Sequence, residues 1–105
     1  MIYRCLSGAV PIYKLHEWHT LVEKELLPLL GKHGIKQVAM LQCDIGGQLG
    51  EFMWWFAFED AADQEEKIQA LREDVEYRKV MQRVGEFAPD IMVKTYRPTS
   101  YSGAQ

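Results

Sequence analysis

The sequence predicts an α+β domain, in which four β-strands form one antiparallel sheet and helices connect them. Three observations lead to this class. Short apolar segments of strand length lie near both ends of the chain and in its middle, and two longer segments place apolar residues at helical spacing. A glycine-rich turn joins the two central strands. The 105 residues, 48% of them hydrophobic, suit one globular domain.

The first half of the chain predicts a strand, a helix and a second strand. Residues 2–10 are short and apolar, as in a strand. One apolar stripe at helical spacing follows, formed by Leu15, Trp18, Val22, Leu26 and Leu29. Pro28 predicts a kink because it removes a backbone hydrogen bond, and Gly31 and Gly34 predict the helix end. Residues 35–45 predict the second strand.

The turn at residues 46–50, GGQLG, predicts a hairpin into a third strand, because glycine accepts positive φ without steric cost. Successive strand side chains point to opposite faces, so the segment EFMWWFAFED has two apolar faces. One face carries Phe52, Trp54, Phe56 and Phe58, and the other carries Met53, Trp55 and Ala57. Burying one Trp contributes roughly 4–6 kcal/mol at most. We therefore expect helices on one face and a second copy on the other, in a two-fold homodimer.

The second half predicts two consecutive helices and a fourth strand. Asp60 and Asp74 are capping residues, so the helical segment is expected to break near Glu73–Asp74. The inward-facing residues of the two helices are Ile68, Leu71, Tyr77, Val80, Met81, Val84 and Phe87. Pro89 ends the second helix, and residues 91–97 predict the last strand. The domain is expected over residues 1–99, followed by a loosely ordered tail at 100–105.

The resulting order is β-α-β-β-α-α-β. This is the split β-α-β, ferredoxin-like arrangement with its second helix broken in two. In such a domain the helices cover one face of the antiparallel sheet. The sequence leaves open which face of the third strand meets them.

Composition and charge exclude several classes of function. The net charge is −3 and the chain has no basic run, so we expect no nucleic-acid partner. No apolar run approaches the ~20 residues of a membrane-spanning helix, and no signal peptide is recognisable, so we expect a cytoplasmic protein with no membrane partner. Cys5 and Cys43 lack zinc-ligand spacing and are expected to be small buried side chains.

Five segments resemble NIPSNAP-family domains, and together they span residues 2–99. They are MIYRCLSG, YKLHEWHTLVEKELLPLLGKHG, WWFAFEDAADQEEK, ALREDVEYRKV and VKTYRPT. The resemblance implies a dimeric α+β barrel, in which two ferredoxin-like sheets close on each other. The chain departs from the family pattern at Arg4 and Leu6, where the family's first strand carries an acidic and a basic residue. Tyr13 stands in place of a Gly, and Phe56 in place of a Trp.

Three groups of residues are candidates for chemistry. His16, His19 and Glu23 have a spacing that a metal could use, but the helical pattern favours a surface pair without function. The remaining alternative is His19 as a proton carrier or polar group at a pocket mouth. Arg4 and Arg97 are expected on neighbouring strands, where two guanidinium groups could bind a carboxylate. The alternative for these arginines is an ion pair across the dimer or simple exposure.

The third group is aromatic. Tyr3, Tyr96, Trp54 and Trp55 could line a pocket for a flat apolar molecule, or form dense core and dimer interface. No Ser/His/Asp set, phosphate-binding glycine loop or dinucleotide motif is present, so we expect no cofactor and no bound metal, and we assign no catalytic residue.

These observations support two hypotheses. The first is a homodimeric domain that has no enzymatic activity or binds a small apolar or aromatic ligand. The alternative is a small cofactor-free monooxygenase, haem-degrading enzyme or isomerase of the dimeric α+β barrel type. This alternative is an analogy of fold.

Overall fold

The computed structural model describes residues 1–104 and confirms the predicted element order. The strands are β1 (Ile2–Ala9), β2 (Lys36–Gln42), β3 (Glu51–Phe58) and β4 (Met92–Tyr96). The helices are α1 (Leu15–Leu21), α2 (Leu27–Lys32), α3 (Ala61–Glu73) and α4 (Val75–Phe87). A short 3₁₀ turn at Ile12–Lys14 precedes α1, and a π-helical segment at Val22–Leu26 joins α1 to α2. Of the predicted tail at 100–105, Gln105 lies outside the described residues.

The four strands form one sheet in the order β2-β3-β1-β4, and every neighbouring pair is antiparallel. The predicted hairpin of β2 and β3 is present. Strand β1 lies between β3 and β4, with Arg4 opposite Phe56 on one side and Thr95 on the other. This is the ferredoxin-like α+β fold that the sequence predicts.

The two faces of the sheet differ in what covers them. The helix-covered face carries the buried core residues Phe52, Trp54, Phe56 and Phe58. The opposite face, called the open face below, carries Met53, Trp55 and Ala57 of β3. It also carries Tyr3, Cys5 and Leu41, which pair with them, and Lys94 and Tyr96, which pair with Cys5 and Tyr3. Several apolar side chains of the open face are exposed, with Leu41 at 53%, Met53 at 43% and Tyr96 at 45%.

The first helical segment departs from the predicted single stripe. Its fully buried residues are Trp18, Leu21, Leu26 and Leu30. In a regular α-helix Leu21 and Leu26 would point about 140° apart at ~100° per residue. The π-helical segment between them adds one residue to the turn and directs both side chains to the sheet. The π-helical hydrogen bond from Leu27 N to Val22 O comes directly before Pro28. The predicted irregularity at Pro28 is therefore a π-turn one residue earlier in the chain.

The break between α3 and α4 confirms both predicted caps. The Asp60 carboxylate accepts a hydrogen bond from the Asp63 backbone N–H at 2.8 Å, and Asp74 accepts one from the Glu76 N–H at 3.0 Å. Asp74 also ties the break to the end of α2, because His33 Nε2 donates to its Oδ2 at 2.8 Å and Lys32 Nζ does so at 3.0 Å.

The β2–β3 connection corrects one prediction. Strand β2 ends at Gln42 rather than at residue 45, so Cys43 is a half-buried loop residue and not a strand core residue. Its thiol donates to the Ile45 carbonyl at 3.7 Å. Cys5 is buried as predicted. Gly46 adopts a φ of +98°, and a Cβ on Gly50 would collide with the Val10 carbonyl, so both glycines of this loop are required by geometry.

The protomer is a flat slab of 41 × 36 × 20 Å. Its radius of gyration is 14.2 Å, whereas a compact chain of this length has about 13 Å. Its accessible surface is 6968 Å², whereas a monomeric protein of this mass exposes about 6,100 Å². The larger radius of gyration and accessible surface follow from a two-layer structure in which helices cover only one side of the sheet. No helix among the described residues is long and apolar enough to cross a bilayer.

Candidate functional site

The residues that the sequence singled out lie in three separate cavities. Tyr3, Trp55, Tyr96 and Arg97 line a groove on the open face. His19 lines a pocket on the helix-covered side, and Arg4 lines a cavity in the core. Trp54 contributes to both of these. Arg4 and Arg97, which were expected on neighbouring strands, therefore line different cavities.

The open-face groove has a volume of about 270 Å³. Its lining is mostly apolar and consists of Tyr3, Val38, Trp55, Tyr96, Arg97, Pro98, Ser102 and Ala104. The rings of Trp55 and Tyr96 lie 5.4 Å apart and tilted by 47°. Residues 98–104 of the tail thus pass beside Trp55. The groove is an aromatic surface on a sheet face that no helix covers.

The pocket on the helix-covered side, called the His19 pocket below, has a volume of about 280 Å³. It lies between the first helical segment and strands β2 and β3. The aromatic part of its lining is Trp18, Phe52 and Trp54. Trp18 stacks on Trp54 at 5.5 Å with an interplanar angle of 15°, and Phe52 lies within 5.0 Å of both. These rings form a rigid apolar wall, because each is buried and held by the other two.

The polar groups of the His19 pocket come from the π-helical region and β2. His19 Nε2 donates to the Gln42 side-chain oxygen at 2.8 Å, and Gln42 Nε2 donates to the Leu49 carbonyl at 3.4 Å. Glu23 and Gln37 also line the pocket. Neither tryptophan N–H donates a hydrogen bond within residues 1–104, and neither is sealed from water. The pocket therefore combines an aromatic wall with unused donors and one carboxylate.

The core cavity beside Arg4 is small, about 50 Å³, and otherwise almost wholly apolar. Arg4 projects to the helix-covered face, where burial lowers the pKa of its guanidinium. The Tyr77 phenol raises this pKa and the Arg72 cation lowers it further. Burial raises the pKa of Tyr77. On the open face, burial raises the pKa of the Cys5 thiol, and Lys94 partly offsets this.

The structure gives no support to a metal centre at the first helix. Within residues 1–104, no group of three or more His, Cys, Asp or Glu side chains is arranged to hold a metal ion. His16 and His19 are both exposed, and only His19 lines a pocket. The His-x-x-His spacing therefore places one imidazole at a pocket and the other in solvent.

Comparison with known proteins decides the family. The NIPSNAP family model matches residues 10–103, nearly the whole chain. The chain belongs to the NIPSNAP family. No curated protein matches it. A crystal structure of a NIPSNAP family protein from Agrobacterium tumefaciens superposes with a TM-score of 0.88 at 18% identity, covering 99% of this chain and 98% of that one.

More distant structures share the NIPSNAP fold. An uncharacterised NIPSNAP domain protein from Burkholderia xenovorans gives a TM-score of 0.86 at 15% identity, covering 97% of this chain and 98% of its own. A candidate antibiotic biosynthesis monooxygenase from Nitrosomonas europaea gives 0.69 at 13% identity, covering 93% and 98%. At these identities the likeness concerns the fold of the NIPSNAP domain.

Sequence analysis missed part of the His19 pocket of this NIPSNAP domain. Trp18 and Phe52 were assigned only to the core, and Gln42 was not singled out. The signal available was Pro28, which predicts a helix irregularity in the same helical segment as His19. π-turns are frequent at functional sites, so a proline-induced irregularity next to a histidine favours a pocket in this part of the helix.

Proposed function

We propose that the protein is a homodimer that binds a small, flat and largely apolar molecule in the His19 pocket. The observation that carries the proposal is the pocket itself, in which a stacked aromatic wall and a hydrogen-bonded His19–Gln42 pair enclose about 280 Å³. Ligand sites in proteins are typically concave, mostly apolar and about 300–1,000 Å³ in volume, with a few convergent polar groups. The pocket is close to the lower end of this range.

The chemistry of the wall favours an aromatic ring with one or two oxygen substituents. A flat ring stacks on Trp18 and Trp54, whose geometry is already parallel. Oxygen acceptors on that ring match the amide N–H donors of Gln42, whose hydrogen bond to the Leu49 carbonyl is long at 3.4 Å. The ligand is expected to enter without large rearrangement, because the aromatic wall is already formed by side-chain packing.

The homodimer is supported by the shape of the protomer and by its open face. Four strands about 4.8 Å apart, with about 3.3 Å per residue, present a face that two copies could bury to on the order of 1,000 Å² in total. This buried area reaches the roughly 1,000 Å² that a specific protein interface needs. Two chains stacked face to face, each 20 Å thick, would also form a particle whose depth is similar to its other two edges of 41 and 36 Å. A cytoplasmic location is part of the proposal, and the unpaired state of Cys5 and Cys43 supports it.

A binding titration tests the ligand proposal. We expect 2-naphthol to quench tryptophan fluorescence saturably and to shift the NMR signals of Trp18, His19 and Gln42. His19→Ala is expected to weaken binding about three- to tenfold through loss of one polar contact. His16→Ala is the matched control, because His16 lies on the same helix outside the pocket. Equal effects of both variants, or no saturable binding, would remove the pocket from consideration.

A second function, cofactor-free enzymatic oxidation, has one observation in its favour. His19 places an imidazole, a common proton carrier, beside an aromatic-walled pocket. The fold is also that of the candidate monooxygenase from Nitrosomonas europaea. A quinol substrate would be oxidised by O₂, with one oxygen atom entering the product and the other leaving as water. Oxygen-electrode assays with naphthols and quinols test this function, and no uptake above that of His19→Ala excludes it for these substrates.

A further inference from the structure

Arg4 is a cation that lines the core cavity and has no neutralising partner within residues 1–104. Arg4 points from the central part of β1 to the helix-covered face, between Phe56 and Thr95. Placing a guanidinium among core side chains costs solvation free energy unless an anion or hydrogen bonds compensate for it. Five ion pairs occur within residues 1–104, and none includes Arg4. No side-chain hydrogen bond of Arg4 occurs there either.

The neighbours of Arg4 increase the demand for an anion. Its electrostatic partners are a second cation, Arg72, and the phenol of Tyr77, which lines the same cavity. Neither Arg72 nor Tyr77 forms an ion pair or side-chain hydrogen bond within the described part of the chain. Arg4 and Tyr77 therefore line one cavity with their side-chain donors unused within residues 1–104, and the Arg72 cation adds to the positive charge there.

The cavity beneath these groups is apolar. Besides Arg4 and Tyr77 it is lined by hydrophobic side chains, which are Leu6, Leu26, Leu30, Ile35, Trp54, Phe56, Phe58, Ile68, Leu71, Met81, Val84 and Ile91. Its volume of about 50 Å³ is several times the roughly 10–15 Å³ of cavity volume that one water requires. An apolar space of this size suits a short alkyl group better than water, because its walls offer almost no hydrogen-bond partners.

We propose that Arg4, Arg72 and Tyr77 form a binding site for the carboxylate of a short-chain organic acid, whose alkyl end enters the core cavity. The planar fork of a guanidinium matches the two oxygens of a carboxylate. The Tyr77 hydroxyl supplies a third donor. The site shares only Trp54 with the His19 pocket, so it is independent of the function proposed above.

Titration of the full chain with sodium butanoate, followed by NMR of the arginine side-chain N–H groups, tests the site. We expect saturable shifts at Arg4, Arg72 and Tyr77. Arg4→Leu and Arg72→Gln are each expected to weaken binding at least about tenfold, and Tyr77→Phe about threefold, as for loss of charged and neutral hydrogen bonds. Arg78→Gln is the matched control, since Arg78 is an exposed arginine on α4 next to Tyr77 and should leave binding unchanged.

Two further ligands test the contributions of the carboxylate charge and of the alkyl chain separately. Butan-1-ol has the same alkyl chain without the charge, and inorganic phosphate has charge without the chain. Both are expected to bind at least about tenfold more weakly than butanoate. Equal binding of either ligand, an equal effect of Arg78→Gln, or absence of shifts at Arg4 would overturn the proposal.

A stability measurement distinguishes a ligand site from a structural arginine. Arg4→Leu is expected to unfold at the same or a higher urea concentration, because it replaces an unpaired, half-buried charge with an apolar side chain. A clear fall in the urea midpoint with unchanged butanoate binding would assign Arg4 to structure alone. If Arg4→Leu fails to fold, Arg72→Gln decides the matter, since Arg72 is exposed.

Discussion

The two faces of strand β3 carry similar side chains in different surroundings. Trp54 is 4% exposed and is held by Trp18 and Phe52 under the helices. Trp55, the next residue, is half-buried and contacts only Tyr96 among the aromatic rings of residues 1–104. The helices of one protomer can cover only one face of a single sheet. One face therefore forms the core of the chain, and the other is the face through which we propose that two copies associate.

The largest expected effect concerns the covered face. Trp54→Ala should lower the free energy of unfolding by about 3–5 kcal/mol, as large-to-small changes of buried aromatic residues do. Urea denaturation followed by circular dichroism measures this value. Tyr13→Ala is the control, because Tyr13 is 80% exposed and a surface change of this kind stays within about 0.5 kcal/mol. Similar midpoints for the two variants would show that the covered face is not the core.

The open face should respond through association. Trp55→Glu is expected to raise the dimer dissociation constant at least about a hundredfold, since an unpaired charge in a buried interface costs several kcal/mol. Sedimentation velocity over a range of protein concentrations measures the constant. Tyr13→Glu introduces the same charge away from the open face and should dimerise as the unmodified protein does. A dissociation constant that is the same for both variants would place the interface elsewhere.

A smaller effect concerns the junction at Asp74, which supports the covered face from its edge. The hydrogen bonds from His33 and then Lys32 hold the pKa of the Asp74 carboxyl well below its ordinary value of 3.8. A lowered folded-state pKa contributes stability that is full above the unfolded value and is lost as the pH falls toward the folded one. Asp74→Ala should therefore lower the urea midpoint at pH 7.

The same variant has a defined pH dependence. The difference between Asp74→Ala and the unmodified protein should shrink as the pH falls below about 4, near the ordinary pKa of Asp. Asp44→Ala, in the exposed β2–β3 loop, should match the unmodified protein at both ends of this range. A difference for Asp74→Ala that stays constant down to about pH 2 would contradict the assigned role of the carboxylate.

The smallest effect uses the two thiols as reporters. Cys5 lies opposite Trp55 on the open face and is buried, and this burial raises its pKa, whereas Cys43 is a half-buried loop residue. Cys43 should react with iodoacetamide at least about ten times faster, since the thiolate is the reactive form. Peptide mapping by mass spectrometry assigns the two rates. Faster alkylation of Cys5 would show that the open face is less protected than described.

Much of the fold could be predicted because the signals are local. The alternation of β3, the capping by Asp60 and Asp74 and the glycines at 46–50 each act within a few residues. The early end of β2 could not be predicted, because Cys43 and Ile45 fit a strand as well as a loop. The predicted stripe of the first helical segment packs against the core, but it omitted Leu21 and Leu30, which are buried as well. Pro28 indicates an irregularity in this segment but does not say that it is a π-turn, which shifts every later side chain.

The candidate sites were harder to predict than the fold. The seven residues predicted to line a ligand pocket each line a cavity, but they divide among three cavities on two faces of the sheet. The sequence places Arg4 and Arg97 on neighbouring strands and cannot say that they line different cavities. Tyr77 was assigned only to an apolar stripe. Its position beside Arg4 depends on how α4 packs across the sheet, and the local sequence pattern does not determine this packing.

Sedimentation equilibrium of the unmodified protein at micromolar concentration tests the central claim most directly. The protomer has a mass of 12.2 kDa, and the account predicts a single species of twice that mass. Its dissociation into protomers should accompany exposure of Trp55, seen as a red shift of tryptophan emission on dilution. A stable protomer that keeps Trp55 and the open face in water at every concentration would contradict the account.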